Sequence, residues 1–258
     1  MKRLFSVLVA AALLMSFALA EGDPFFATPE EAIVAFADCV GNLDFSGALD
    51  CMDAQVKAEN YDMALNVARL GAIVPATLTL PSQYGAYVSL NAELFRNGHA
   101  RNLYFAITSL LIGPEFQTGQ VIQVDREKSE VAISPTETVA LDELVARYDP
   151  EGLRGLAVRE IYRYDKFRQN EKHQSNIQRQ GLDYGFDAVE DYLVLYDLQG
   201  DTCAGTMMVA HYEQGWKITS LNSAVMGASP FTPIARVPDG AAAAKGLGLD
   251  PSEFTKVR

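Results

Sequence analysis

The side chains that could do chemistry are few and scattered. His99, His173 and His211 lie far apart in the chain, and the sequence contains no His-Glu-x-x-His, no Cys-x-x-Cys and no calcium loop. No metal site is therefore expected. Neither Gly-x-Ser-x-Gly nor Ser-x-x-Lys occurs, and Gly246-Leu-Gly248 lacks the third glycine and the preceding strand of a dinucleotide loop, so no cofactor is implied. An active site assembled from distant residues stays open, because such sites are defined by geometry rather than by local motif. No residue is assigned as catalytic.

The remaining candidates are ligand contacts on strand-like stretches. From Cys203 to Tyr212, Cys203, Gly205, Met207, Val209 and His211 share one parity, and His211 is the titratable group on that face. Tyr192, Val194, Tyr196 and Leu198 share a face on the preceding stretch, and Trp216 shares one with Ile218 on the following stretch. Upstream, Val158, Glu160, Tyr162 and Tyr164 alternate in the same way. Aromatics so placed either line a pocket or fill a core. Tyr162, Tyr196, His211 and Trp216 are the pocket candidates, with Asp197 as an acidic neighbour; the alternative for His211 is a hydrogen-bonded structural or edge histidine.

The elements that would position them read as α+β: N-terminal helices packed on a curved, mainly antiparallel sheet that ends in a three-stranded meander. The meander is Asp191–Leu198, Cys203–Tyr212 and Trp216–Leu221, joined by Gln199-Gly200-Asp201 and by the three-residue loop Glu213-Gln214-Gly215. Thr28-Pro29-Glu30-Glu31 is a capping box that opens a helix with an apolar face of Ile33, Phe36 and Val40. Asp44 should cap a second short helix. A helical pattern runs from Asp53 to Leu70, and two core helices separated at Asn97-Gly98 are expected between Ser82 and Gly113. Gln120–Val124 and Glu130–Ser134 flank a polar turn, and Ser134-Pro135-Thr136-Glu137 reads as a further capping box before a helix through Tyr148. Residues 166–180 carry Lys166, Arg168, Lys172 and Arg179 but only Phe167 and Ile177 to bury. That composition predicts a solvated helix or mobile loop, or a basic contact surface for an acidic partner.

The chain begins Met1-Lys2-Arg3, continues as an uncharged apolar run to Leu19 and reaches Ala18-Leu19-Ala20, which has the form of a signal peptide over residues 1–20. The expectation is export, to the periplasm, cell surface or exterior, with no membrane span after cleavage. One α+β domain over 21–225, with a helical insertion at about 53–113, and an Ala/Gly/Pro-rich tail over 226–258 complete the organisation. The chain carries a formal charge of −12, which disfavours nucleic acid as a partner. Export also permits a disulfide, and Cys39 and Cys51 are the candidates, with Cys203 left over.

Thr28-Pro29-Glu30-Glu31-Ala32-Ile33-Val34-Ala35-Phe36, Leu43–Leu49 and the late strand Tyr212-Glu213-Gln214-Gly215-Trp216-Lys217-Ile218-Thr219 resemble the nuclear transport factor two-like, or ketosteroid-isomerase-like, cone fold. The resemblance implies a pocket between helices and meander, used in that superfamily for catalysis, binding or dimerisation. None of the isomerase's acid and base residues maps onto this chain. The expected function is a secreted, non-catalytic binding or interaction domain for a small molecule or protein. The alternatives are a small cavity enzyme of the isomerase type and an envelope protein that dimerises through its sheet.

Overall fold

The computed structural model describes residues 24–258, apart from 74, 76–78, 114–115, 117–121, 123, 167, 169, 224–225 and 227–234. The signal segment, most of the strand expected at 120–124, Phe167 and much of 222–235 thus lie outside the described residues.

The N-terminal helices form where their caps place them. Thr28 Oγ1 accepts from the Glu31 amide at 3.2 Å and Glu31 reaches back to the Ala27 amide at 3.0 Å, which starts α1 (Pro29–Gly41). Asp44 accepts from the Gly47 amide at 2.9 Å and starts α2 (Phe45–Asp50). The pattern expected as one helix from Asp53 to Leu70 is two, α3 (Ala54–Asn60) and α4 (Met63–Leu70). Tyr61 is extended, and Asp62 caps the second by accepting from Leu65. The opposite correction applies downstream. Asn97-Gly98 does not end a helix: α5 runs unbroken over Val88–Leu111. A single glycine weakens a helix by only about 1 kcal/mol, less than packing on its buried side returns.

A small sheet, β1 (Val124–Asp125), β2 (Glu130–Ser134) and β3 (Glu137–Ala140), follows in antiparallel order. Ser134-Pro135-Thr136-Glu137, expected as a capping box, is instead the turn between β2 and β3, and α6 (Leu141–Arg147) starts after Ala140. The main sheet contains β4 (Ala157–Tyr164), β5 (Ala188–Leu198), β6 (Asp201–Tyr212), β7 (Gly215–Ser220) and β9 (Phe254–Lys256). The order is β7-β6-β5-β4-β9, every pairing is antiparallel, and β8 (Ala235–Arg236) also pairs with β6. The meander is the expected one, with β5 and β6 longer and β7 shifted by one residue. Gln199 and Gly200, with φ of 54° and 88°, form its first turn, and Tyr212 pairs with Gly215, which leaves two residues rather than three in the second.

Both sheet faces are covered. Ile33, Phe36 and Val40 of α1 pack on Ile161, Tyr192, Val194, Met207, Val209 and Ile218, while Leu103 and Leu110 of α5 close the side of that core. On the other face, Met226, Ala243 and Ala244 lie over Leu193, Leu195 and Ala204, the two alanines belonging to α8 (Gly240–Gly246). Val56, Ile177 and Phe186 cover Ala210 and Tyr212. Each buried aliphatic of this kind contributes roughly 1.5–3 kcal/mol. The C-terminal segment is therefore a wrap that also supplies an edge strand. The basic stretch becomes α7 (Glu171–Tyr184), capped by Asn170 and Gly185, with Ile177, Gly181 and Asp183 buried. No described helix is long and apolar enough to cross a membrane.

Candidate functional site

The four pocket candidates do not converge. His211 and Trp216 are register partners with ring centroids 4.9 Å apart, and His211 Nδ1 lies 2.7 Å from an exposed Asp187 carboxylate. Tyr196 is buried in the helix-facing core, its hydroxyl directed at Met207 Sδ at 3.8 Å. Tyr162 packs against Gly240 under the C-terminal wrap and donates to Glu160 at 2.6 Å. Burial and that carboxylate push its phenol up to about 12. Asp197 is exposed and stands 3.9 Å from Arg159. Alternation along strands sorts residues by face, but it cannot tell which face faces a cavity.

A different set of side chains comes together where α3, α5 and the meander meet. Asp53, which precedes α3, is fully buried. Tyr212 of β6 donates to its Oδ2 at 2.8 Å, His99 Nε2 of α5 lies 2.9 Å from its Oδ1, and Lys57 Nζ lies 3.6 Å away, one helical turn on. Lys57 also donates to Thr219 Oγ1 of β7 at 3.2 Å and sits over the rings of Tyr184 and Phe95 at 5.1 and 5.7 Å. Burial alone would raise the Asp53 carboxyl. The Lys57 ammonium and the hydrogen bonds from His99 and Thr219 outweigh burial and hold it well below the usual carboxylate range. Burial, and after it the same carboxylate, pushes the Tyr212 phenol well above its ordinary value.

Sequence reading missed this cluster. The available signals were Asp53 and Lys57 at i and i+4, and Asn91 and His99 on the helix stripe that also carries Leu103, since a polar residue at a core position requires a partner.

Beside the cluster the surface is grooved along α5. A shallow depression, open to solvent, is lined by Leu94, Phe95, Gly98, His99, Arg101, Asn102 and Thr219. A second of about 340 Å³, lined by Leu80, Leu90, Asn91, Glu93, Leu94 and Asn97, adjoins it through Leu94. Large apolar side chains are left exposed here. Leu65, Leu70 and Ile73 lie on or just beyond α4, Tyr84 and Tyr87 just before α5, and Leu90, Leu94 and Tyr104 on it. Elsewhere among the described residues only Val124, Val145 and Leu182 are exposed in this way. Such a concentration marks a contact surface, whereas single exposed hydrophobics carry no meaning.

The space between α1, α5 and the sheet is, by contrast, filled, while a cavity of about 110 Å³ lies between α8 and the opposite sheet face, lined by Leu193, Ala204, Thr206, Val237, Ala243 and Leu247. The gap among Phe36, Val40, Leu103, Tyr196 and Met207 amounts to about 20 Å³, room for one water and no ligand. Cys39, Cys51 and Cys203 are free thiols; those of Cys39 and Cys51 hydrogen-bond to each other, and burial first, then Cys39, pushes the Cys51 thiol up to about 12. No grouping of three or more His, Cys, Asp or Glu side chains suited to a metal ion occurs among the described residues.

No protein-family model matches the chain, and no curated protein does. A solved structure of a cystatin-like protein from Ruminococcus gnavus is similar at 14% identity with a TM-score of 0.48, over 87% of this chain and 44% of that one. This chain thus spans less than half the length of that protein. The cone-fold resemblance of the helix pair and late strand does not hold in the structure itself. The cavity which that resemblance implied is occupied by side chains.

Proposed function

We propose that this chain is an exported, non-catalytic interaction domain that binds a protein partner through the exposed face of α5. The observation that carries the reading is the gathering of exposed Leu and Tyr side chains along α5 and the segment before it, while the core between α1, α5 and the sheet has room for one water only. The polar cluster at Asp53 supports it as well. Its hydrogen bonds join α3, α5, β6 and β7, so it fixes the orientation of α5 on the sheet and with it the contact face. Since both faces of the main sheet are covered, pairing through the sheet has less support than pairing through the helices.

Hydroxyl-radical footprinting tests this. Tyr87 and Tyr104 are expected to oxidise more slowly in the native exported mixture than in the dilute purified chain, with Tyr162 unchanged. Equal rates in both preparations at Tyr87 and Tyr104 would remove the reading. A second reading, proton transfer to a small molecule, draws on His99, whose ring is oriented by Asp53 and lines the depression. It requires the His99 imidazole resonances to shift on adding a fragment library, and unmoved resonances would exclude it.

A further inference from the structure

We infer that the partner of the α5 face is a second copy of this chain, packed antiparallel about a two-fold axis at Asn97. This rests on the reading of that face as a contact surface and specifies its occupant.

Leu90, Leu94, Asn97, Arg101 and Tyr104 are all exposed and are spaced alternately four and three residues apart, the seam by which one helix packs on another. A seam with this helical spacing, flanked by the exposed Glu93 and Gly98, suits a helix rather than an extended strand. It covers about 21 Å of the helix axis, well inside the 24 residues of α5.

The seam is its own complement in one orientation. Leu90 and Tyr104 each lie seven residues from Asn97, and Glu93 and Arg101 each lie four residues from it. A two-fold axis through Asn97 perpendicular to the helix therefore sets Leu90 against the partner copy's Tyr104 and Glu93 at the height of its Arg101, twice over. Parallel pairing would instead set Glu93 level with Glu93 and Arg101 level with Arg101. In a chain of net charge −12, where two copies repel at long range, local pairing of opposite charges decides the orientation. Size is matched too. Leu94 comes level with Ala100, and at the centre a Cβ built on Gly98 would meet nothing within 4 Å, so the backbones are free to approach. Asn97 then meets Asn97, the position at which a polar residue fixes register in paired helices. The seam alone falls short of the roughly 800 Å² per partner of a standard interface, and Tyr87, exposed one step before Leu90, extends it.

The test combines mass with engineered disulfides, read by sedimentation and non-reducing gels of the full exported chain at tens of micromolar. The wild type is expected at twice the chain mass, and Leu94→Glu, at a position already exposed, at the single mass with an unchanged circular dichroism spectrum. Asn97→Cys should cross-link to a dimer under mild oxidation, and Leu90→Cys should do so only when combined with Tyr104→Cys. A wild type at the single mass with no cross-linking of Asn97→Cys overturns the inference. Cross-linking of Leu90→Cys alone overturns the antiparallel orientation. Protection of Tyr87 and Tyr104 in the native mixture, with a purified chain that stays monomeric, overturns self-pairing yet leaves the contact reading intact and assigns the face to a different protein.

Discussion

Replacing Asp53 by Asn puts a number on the polar cluster. The substitution keeps size and one acceptor but removes the charge that Lys57, His99 and Tyr212 surround. Breaking a buried charge network from one side costs about 3–5 kcal/mol. Lys57 retains 17% side-chain exposure and can turn toward water, so the lower end applies, about 3 kcal/mol. In a chain of this size that corresponds to a fall in Tm of roughly 6–12 °C. Urea unfolding at pH 7 should show the loss as a lower midpoint with an unchanged slope. The pH dependence provides a second reading. The folded-state carboxyl of Asp53 is depressed, so its stabilisation is complete above the unfolded pKa of about 4 and disappears as pH falls through the folded value. The wild type should therefore lose more stability than Asp53→Asn on acidification below about pH 4. A difference under about 1 kcal/mol at pH 7, or parallel acid profiles, would refute the assignment of Asp53 as the charged centre of the cluster.

Asp191 should behave in the opposite sense. Buried beside Glu190 and held by a hydrogen bond from Ser223, its carboxyl is pushed up to about 6, chiefly by burial. Its contribution is therefore lost as pH rises from about 4 to 6, and Asp191→Asn should be more stable than wild type at pH 7, by about 2 kcal/mol in urea unfolding, with the gap closing below pH 4. At Gly181 a Cβ would come within 2.0 Å of the Phe186 carbonyl oxygen; Gly181→Ala should cost at least about 2 kcal/mol, and a neutral result would mean that α7 does not dock as described. Because the Cys39 and Cys51 thiols hydrogen-bond to each other, mild oxidation of the folded protein should yield a Cys39–Cys51 linked peptide with Cys203 alkylated only after unfolding; free alkylation of both partners in oxidised, folded protein would contradict this.

Legibility differed with the range of the interaction. The caps at Thr28 and Asp44 and the turn at Gln199-Gly200 are local chemistry, and they stand where the sequence placed them. The meander was legible because runs of β-branched, aromatic and small apolar residues are bounded by turn residues at Gln199-Gly200 and Glu213-Gln214, not because they alternate: β5 and β6 are buried on both faces. The continuity of α5 was not, since Asn97-Gly98 carries the same local signal as a helix end, and it is the anchoring of the buried stripe, by Asn91 before that point and by His99 and Leu103 after it, that keeps the helix going. The cluster at Asp53 was hidden for a related reason: its members come from four elements as far apart in sequence as residues 53 and 219, with no motif joining them. The exposed seam is written plainly at 90, 94, 97, 101 and 104, yet such spacing looks the same on a helix facing a core. Burial alone shows that these side chains point away from it.

The most direct test of the contact face is a photoactivatable cross-linker placed at Leu94 in the chain as its cell makes it, with the same group at the exposed Glu127 as control. Discrete protein adducts at Leu94, absent at Glu127, are the expected result. Adducts at Leu94 no more abundant than at Glu127 would contradict the account.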